Sequence, residues 1–200
     1  MTATVALIRA RPGPGELAAN AAKILEYAQR ADRLGAAVTV FPELMLTGIG
    51  PDDPAAGDDL RRGADQALTR LAQVLDHRGL GGRHVVVGTT GTGRQDRATN
   101  AAVVLHKGKV ALATTAAGPL SGPLSGAVFA AHGHRFAVAV GQARNPEAAG
   151  AVDAILVLAD GLAYAADPSG RLIAQPAAGH EGLMLWTAGA PAEQVIEGRA

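Results

Sequence analysis

The sequence contains no cysteine and few aromatic residues, and both deficits limit what the protein can be. Among its 200 residues there is no Cys, and Phe, Trp and Tyr together make up only 3%. Without thiols the chain cannot form disulfides, thiolate zinc sites, iron–sulfur clusters or a cysteine nucleophile. Because aromatic rings are scarce, its core must consist mainly of Ala, Val, Leu and Ile, in a chain that is 48% hydrophobic.

An excess charge of either sign and a long apolar run are also missing. Eighteen Lys and Arg balance eighteen Asp and Glu, so no net field would attract a nucleic-acid backbone or an anionic membrane. No apolar stretch is long enough to span a membrane, and the run before Arg9 and Arg11 is too short for a secretory leader. We therefore expect a cytoplasmic protein with neither a nucleic-acid nor a membrane partner.

Hydrophobic periodicity predicts two long helices near the start of the chain and many short strands. Apolar residues recur at three- and four-residue steps, as in helices packed on one face, over 16–34 and 59–77. Short apolar runs and glycine-containing turns predict strands at 5–8, 38–41, 85–88, 101–106, 109–114, 127–131, 135–140, 153–158, 162–166, 171–174 and 182–186. Weaker helical patterns follow Pro146 and cover 192–197. About eleven strands and two long helices imply two packed sheets with helices outside them.

A specific motif occurs where the second predicted strand ends. The segment 35–48 contains the strand Val38-Thr39-Val40 followed by Phe41-Pro42-Glu43, and Asp52-Asp53 comes soon after. It resembles the nitrilase, or carbon–nitrogen hydrolase, superfamily, and looks most like the glutaminase domain of glutamine-dependent NAD synthetases. The resemblance continues through the first helix, which carries Asn20, through 85–88 and 100–104, and through the hairpin at 167–171. It implies an α/β fold, a nitrilase-like α-β-β-α sandwich of two mixed sheets over residues 1–187, followed by a C-terminal tail over 188–200.

The resemblance also implies a catalytic triad, of which this sequence keeps one member. In that family a Glu-Lys-Cys triad hydrolyses amides or nitriles: the thiolate attacks carbon, Glu moves protons and Lys stabilises the developing charge. Glu43 matches the glutamate. The lysine position falls on Ala116, and the cysteine position falls on Gly141, or on Gln142 because the spacing to Pro146 is one residue short. None of these replacements can form a thioester.

A second departure from the family follows Pro146-Glu147. The family has two helices here that cover the second sheet, whereas only about one helical turn fits before Asp153. The second helical layer is therefore expected to be truncated, together with walls of the substrate pocket. Because the strands 136–140 and 154–158 are apolar on both faces, we predict an uncovered outer face. That face predicts an obligate oligomer, formed by this chain alone or with an intact family member.

Other polar clusters have simpler interpretations than a site. His132 and His134 flank a turn glycine, where two imidazoles could bind a metal, but no third ligand is near in sequence and a solvated turn is expected. Among the acidic residues of 52–59, Asp58 or Asp59 is expected to act as a helix N-cap. No cofactor or metal site is predicted. Glu43 itself has two interpretations, either a vestigial base in a remaining pocket or a residue that only hydrogen-bonds loop amides.

Two functional hypotheses remain open at this point. The first is a catalytically degenerate nitrilase-like protein, a pseudoenzyme kept as a binding or assembly module with a small amide-like ligand. The second is a carbon–nitrogen hydrolase of amidase or glutaminase type that uses a non-cysteine mechanism around Glu43. The absence of cysteine favours the first, because it removes the family's covalent chemistry whatever the alignment.

Overall fold

The computed structural model describes residues 2–50, 52–53, 57–92, 98–115, 127–141, 151–190 and 196–198. These residues contain two α-helices, α1 (Leu17–Arg33) and α2 (Asp58–Leu75), and α2 is followed by a kinked turn at Asp76–Leu80 in which Gly79 has a non-helical φ of +81°. They also contain twelve strands: β1 (Thr4–Arg9), β2 (Val38–Val40), β3 (His84–Thr92), β4 (Ala98–His106), β5 (Lys109–Thr115), β6 (Ala127–Ala131), β7 (His134–Val140), β8 (Ala154–Ala159), β9 (Leu162–Ala166), β10 (Leu172–Ala174), β11 (Gly182–Thr187) and β12 (Ile196–Gly198). The predicted α/β class and nearly all predicted elements are confirmed.

The strands form one mixed sheet that curls on itself. Its main path runs β5-β4-β3-β2-β1-β9-β8-β7-β6, and the two halves join where Arg9 of β1 pairs with Leu162 of β9. Side chains from both halves meet in a shared core that includes Leu7 and Val104 from the first half and Phe136 and Leu156 from the second. The two predicted sheets are thus two facing halves of a single curled sheet.

The first half follows a β1-α1-β2-α2-β3 path with parallel strands. Val38 of β2 pairs with Val5 of β1 on one side and with His84 of β3 on the other. Both helices bury their apolar faces on the outer surface of this half, in a cluster that includes Ile24 of α1 and Leu68 of α2. Because the three strands are parallel, the carboxyl ends of β1, β2 and β3 lie at one edge of the sheet.

The second half is built from the β6–β7 hairpin, β8 parallel to β7, and β9 antiparallel to β8. Its outer face carries a cluster of buried apolar residues that includes Ile155 and Val157, both fully buried, with the partly buried Tyr164 packed on it. The expectation of an uncovered outer face is therefore wrong: alternation sends these side chains outward, but they are buried within one chain. Because the oligomer was predicted from that uncovered face, this prediction loses its reason. Oligomerisation itself stays a prediction.

Two expectations for the end of the chain are changed or untested. The helix predicted over 192–197 is wrong at its end, because Ile196–Gly198 forms β12, antiparallel to β11 with Ile196 opposite Leu185. An open strand edge offers unpaired amides and carbonyls, and this pairing outweighs a weak helical pattern. Part of the predicted tail thus belongs to the sheet, and the boundary at 187 stays a prediction.

The helical turn predicted after Pro146 lies outside the described residues. Neither described helix is long and apolar enough to cross a membrane.

Candidate functional site

Glu43 lies at the carboxyl ends of the strands, where the two halves of the sheet meet. Its backbone N–H donates to the carbonyl of Ala159, at 3.0 Å, at the end of β8. The N–H of Gly141, which follows β7, donates to the preceding carbonyl of β8, that of Leu158, at 2.8 Å. Two neighbouring carbonyls thus anchor Glu43 and Gly141. The fold brings the predicted glutamate and the position assigned to the cysteine to the same edge.

The turn that carries Glu43 is fixed by close packing on β3. The N–H of Phe41 donates to Val86 and that of Leu46 to Gly88, at 2.9 and 3.0 Å. A Cβ at Gly88 would lie 2.3 Å from the carbonyl oxygen of Pro42 and 2.7 Å from the Cα of Glu43. Only glycine lets the turn approach β3 this closely, and this contact sets the height of Glu43 above the sheet.

Asn20 of α1 holds the other side of the same turn. The side chain is 2% exposed; its Nδ2 donates to the carbonyls of Gly13 and Leu46, and its Oδ1 accepts from the N–H of Gly13. Both of its amide hydrogens and its oxygen are therefore used in joining two loops. In the sequence Asn20 belonged only to the general resemblance; a polar residue on the buried face of a predicted helix is the signal that marks it.

The Glu43 carboxylate accepts a hydrogen bond from the Nδ2 of Asn100 on β4. Burial raises the pKa of Glu43; the Asn100 bond lowers it, and the charge of Asp160, next to the anchor residue Ala159, raises it. The net direction is upward, so burial outweighs the hydrogen bond. Asn100 entered the sequence analysis only as part of the resemblance, and its position at the start of an apolar strand is the signal for its role.

Asn100 is left with one polar atom unsatisfied. Its Oδ1 is buried and has no hydrogen-bond partner among the described residues. An ionised carboxylate only accepts hydrogen bonds, so Glu43 can use the Asn100 amide hydrogens but cannot donate to Oδ1. The pair therefore presents a free acceptor beside a carboxyl group that burial pushes toward its neutral form.

The position assigned to the cysteine offers no reactive atom. Gly141 is exposed and adopts φ of +82°, a left-handed conformation that side-chain-bearing residues rarely adopt. The assignment of Gly141 as the cysteine position stays a prediction. Ala116 and Gln142, the other two assigned positions, lie outside the described residues.

The remaining polar clusters behave as surface structure. His132 lies in the β6–β7 turn with φ of +49°, and His134 lies 3.8 Å from Asp153. No three His, Asp or Glu side chains in the described ranges are arranged to hold a metal. The predicted N-cap of α2 is wrong by one residue: Gly57 is the N-cap, and Asp58 and Asp59 occupy the first turn. There the carboxylates complement the helix dipole.

Comparison with known proteins agrees with this geometry. The sequence profile of the carbon–nitrogen hydrolase family matches residues 4–115, more than half of the chain. The chain belongs to this family. The resemblance inferred from the Phe41-Pro42-Glu43 segment is thereby confirmed.

Curated and solved family members resemble different extents of the chain. Glutamine-dependent NAD(+) synthetases of Mycobacterium bovis and Mycobacterium tuberculosis are 36% identical over 100 residues, which cover 48% of this chain and 14% of theirs. A glutamine-dependent NAD+ synthetase structure from Acinetobacter baumannii has a TM-score of 0.74 at 18% identity and covers 94% of this chain and 45% of its own. A Nesterenkonia amidase structure has a TM-score of 0.66 at 16% identity, covering 95% and 90%. The chain thus spans a small part of the curated synthetases, and the structural likenesses show the nitrilase-like fold.

Proposed function

We propose that this carbon–nitrogen hydrolase family member is catalytically inactive and serves as a binding or assembly module. The observation that carries the proposal is that the chain has no cysteine, while Gly141, which has no side chain, lies at the end of β7 beside the anchored Glu43. Nucleophile and base act as one unit in covalent hydrolysis, and loss of one member removes most of the rate, on the order of a millionfold in a serine protease triad. Glu43 alone does not supply the thiolate attack on which the family's covalent route depends.

The site nevertheless keeps groups that suit a small amide-like ligand. The carboxyl group of Glu43 is only partly buried and accepts one hydrogen bond from Asn100, so its oxygens keep further capacity to accept hydrogen bonds. A primary amide has an N–H₂ that such acceptors bind, and a neutral Glu43 could also donate to the amide carbonyl. These groups would hold an amide without converting it. The names of the related synthetases and amidases agree with amide ligands.

The second hypothesis, hydrolysis by a non-cysteine mechanism, has one observation in its favour. Burial raises the pKa of Glu43, and a carboxyl group with a raised pKa is better suited to general acid and base catalysis near neutral pH. In such a mechanism Glu43 would activate water directly. Both hypotheses make Glu43 the central residue, so turnover separates them.

The test is ammonia release by the purified chain from glutamine and from small aliphatic amides. The wild type and Glu43→Gln are assayed in parallel, with a cysteine-containing amidase of the family as the positive control. We expect the two chains to release no more ammonia than buffer. Steady release by the wild type that Glu43→Gln abolishes would overturn the proposal in favour of the water-activating mechanism.

The assembly part of the proposal has a separate test. The proposed obligate oligomer, homomeric or with an intact family member, no longer rests on an uncovered face of β7 and β8, because their outer residues are buried within one chain. Sedimentation of the purified chain at micromolar concentration measures its mass in solution. A stable monomer would leave the binding role and remove homomeric assembly.

A further inference from the structure

A stack of aromatic rings crosses between the two halves of the sheet, away from Glu43. The ring of His84, the first residue of β3, lies 4.0 Å from that of His106 with an interplanar angle of 6°. On the second half, Phe129 lies 4.6 Å from the His84 ring at 18°, and Phe136 lies 5.6 Å beyond Phe129. Glu43 packs over Gly88, four residues further along β3, so the stack lies toward the opposite end of that strand.

The stack joins elements that are distant in the chain. His84 and His106 belong to β3 and β4 of the first half, and Phe129 and Phe136 belong to β6 and β7 of the second. Both Phe residues are buried and belong to the core shared by the halves. His84 is thus the ring through which the first half contacts the aromatic pair of the second.

We propose that the stack of His84, His106 and Phe129 is a pH-sensitive clasp, which holds the two halves together at neutral pH and loosens in mildly acidic solution. This inference is independent of the proposed function. It depends on the position of one titratable ring at the contact between the halves.

The charged neighbours of His84 oppose its protonation. Within the described residues, the groups that act on it electrostatically are His106 on β4, Lys107 in the β4–β5 turn and His132 in the β6–β7 turn. The effect of each on His84 disfavours the protonated form of its imidazole. Three carboxylates lie on neighbouring elements: Asp32 pairs with Arg83 at 2.7 Å, Asp153 lies 3.8 Å from His134, and Asp76 lies against Gly81 and Gly108. None of them is among the groups that act on His84. A proton on His84 would therefore add positive charge to a positive cluster.

The Phe129 ring acts on the pKa of His84 in the opposite direction, and burial is the largest influence on that pKa. A cation stacked on an aromatic face is attracted to it, which would favour the protonated form. Burial is the largest influence on His84, and together with the positive neighbours it lowers the pKa of the imidazole to about 4. Burial and the positive neighbours therefore both favour a neutral ring in the stack.

The lowered pKa of His84 sets the pH range in which the clasp contributes less to stability. In the unfolded chain His84 takes up a proton near its ordinary pKa of about 6.5, whereas the folded chain resists it down to about pH 4. The unfolded state then binds more protons than the folded state, so the contribution to stability is complete above pH 6.5 and is lost as the pH falls toward 4. Between pH 7.5 and 5.5 the ratio of folded to unfolded chain should fall about tenfold through this residue.

Urea unfolding of the full chain tests the clasp, with the fluorescence of the single, buried Trp186 as the signal. His84→Phe keeps an aromatic ring in the stack and removes the titration, and His180→Phe makes the same change at an exposed histidine. Between pH 7.5 and 5.5 the ratio of folded to unfolded chain falls in each protein by some factor. We expect that factor to be about ten times larger for the wild type and for His180→Phe than for His84→Phe. Equal losses in all three would overturn the proposal.

A second measurement uses the wild type alone, so it stands even where His84→Phe fails to fold. The ring resonances of the six histidines are followed by NMR from pH 7.5 to 4.5 in the folded chain. We expect the His84 ring to remain neutral at pH 5.5, and the β6–β7 amides to exchange faster at pH 5.5 than at 7.5 after correction for intrinsic rates. A His84 midpoint near 6.5, or exchange that does not change, would overturn it.

Discussion

At the scale of single residues, Glu43 and Asn100 form an incomplete pair. The carboxylate takes one amide hydrogen of Asn100, and the Oδ1 of Asn100 stays buried without a partner among the described residues. Burial also raises the pKa of Glu43, so the folded state holds the charged form at a cost. Such unsatisfied groups are typical of sites kept for binding or catalysis rather than for stability.

The first prediction follows from this mismatch. Glu43→Gln should stabilise the chain at pH 7.5 by about 0.5–1 kcal/mol, because a glutamine amide can donate to the free Oδ1 of Asn100 and carries no charge to bury. A raised pKa means that the folded state of the wild type binds the proton more tightly than the unfolded state, so the gain should shrink as the pH falls. Urea unfolding at pH 7.5 and 5 measures both. A destabilised Glu43→Gln chain would contradict this account of the pair.

Sequence reasoning located one of these two residues. Glu43 follows a strand in the Phe41-Pro42-Glu43 segment, so its position was clear. The contact of Asn100 with it depends on β4 pairing beside β3, with Asn100 opposite Thr90, and a pairing register is not written in either strand alone. The left-handed backbone at Gly141 likewise became visible only in the structure.

At the scale of elements, the turn after β2 is held against β3 by the absence of a side chain at Gly88. The turn hydrogen-bonds to Gly88 through Leu46, and a methyl group there would collide with backbone atoms, which cannot rotate away. The position of Glu43 thus depends on a strand glycine that sequence analysis treated only as part of an apolar run.

Gly88→Ala should therefore destabilise the chain by about 1–3 kcal/mol, the usual cost of overpacking. Gly82→Ala is the matched control, because a Cβ there meets nothing within 4 Å and its effect should stay within about 0.5 kcal/mol. Thermal or urea unfolding of both variants compares the effects. Equal stability of the two would mean that the turn does not rest on β3 as described.

Elements set by local pattern were predicted well, and those set by distant partners were not. The amphipathic periods of α1 and α2 and the glycine turns of the hairpins depend on neighbouring residues, and they appear where expected. Residues 196–198 form a strand because β11 offers them an open edge. The sequence of 192–197 by itself does not indicate that edge, because β11 is brought next to this segment only by the fold.

At the scale of the whole molecule, the chain keeps the architecture of its family while lacking the atom on which the family's covalent chemistry depends. The curl of the sheet still brings the ends of β2, β7 and β8 together, and the shared core is filled by side chains from both halves. The fold class was predictable because one motif identified a known architecture. The burial of the outer face of β8 was not, since it depends on how the whole chain packs around Ile155 and Val157.

Covalent labelling tests the proposed loss of the catalytic nucleophile most directly. Fluoroacetamide leaves its acetamide moiety on the active-site cysteine of a Nesterenkonia amidase variant, so the same reagent, followed by intact-mass spectrometry, reports on a nucleophile at this edge. For the present chain we expect no increase in mass, with a cysteine-containing family amidase as the labelled control. A single acetamide adduct per chain, mapped to a residue beside Glu43, would contradict the proposal that this chain has lost the family's covalent chemistry.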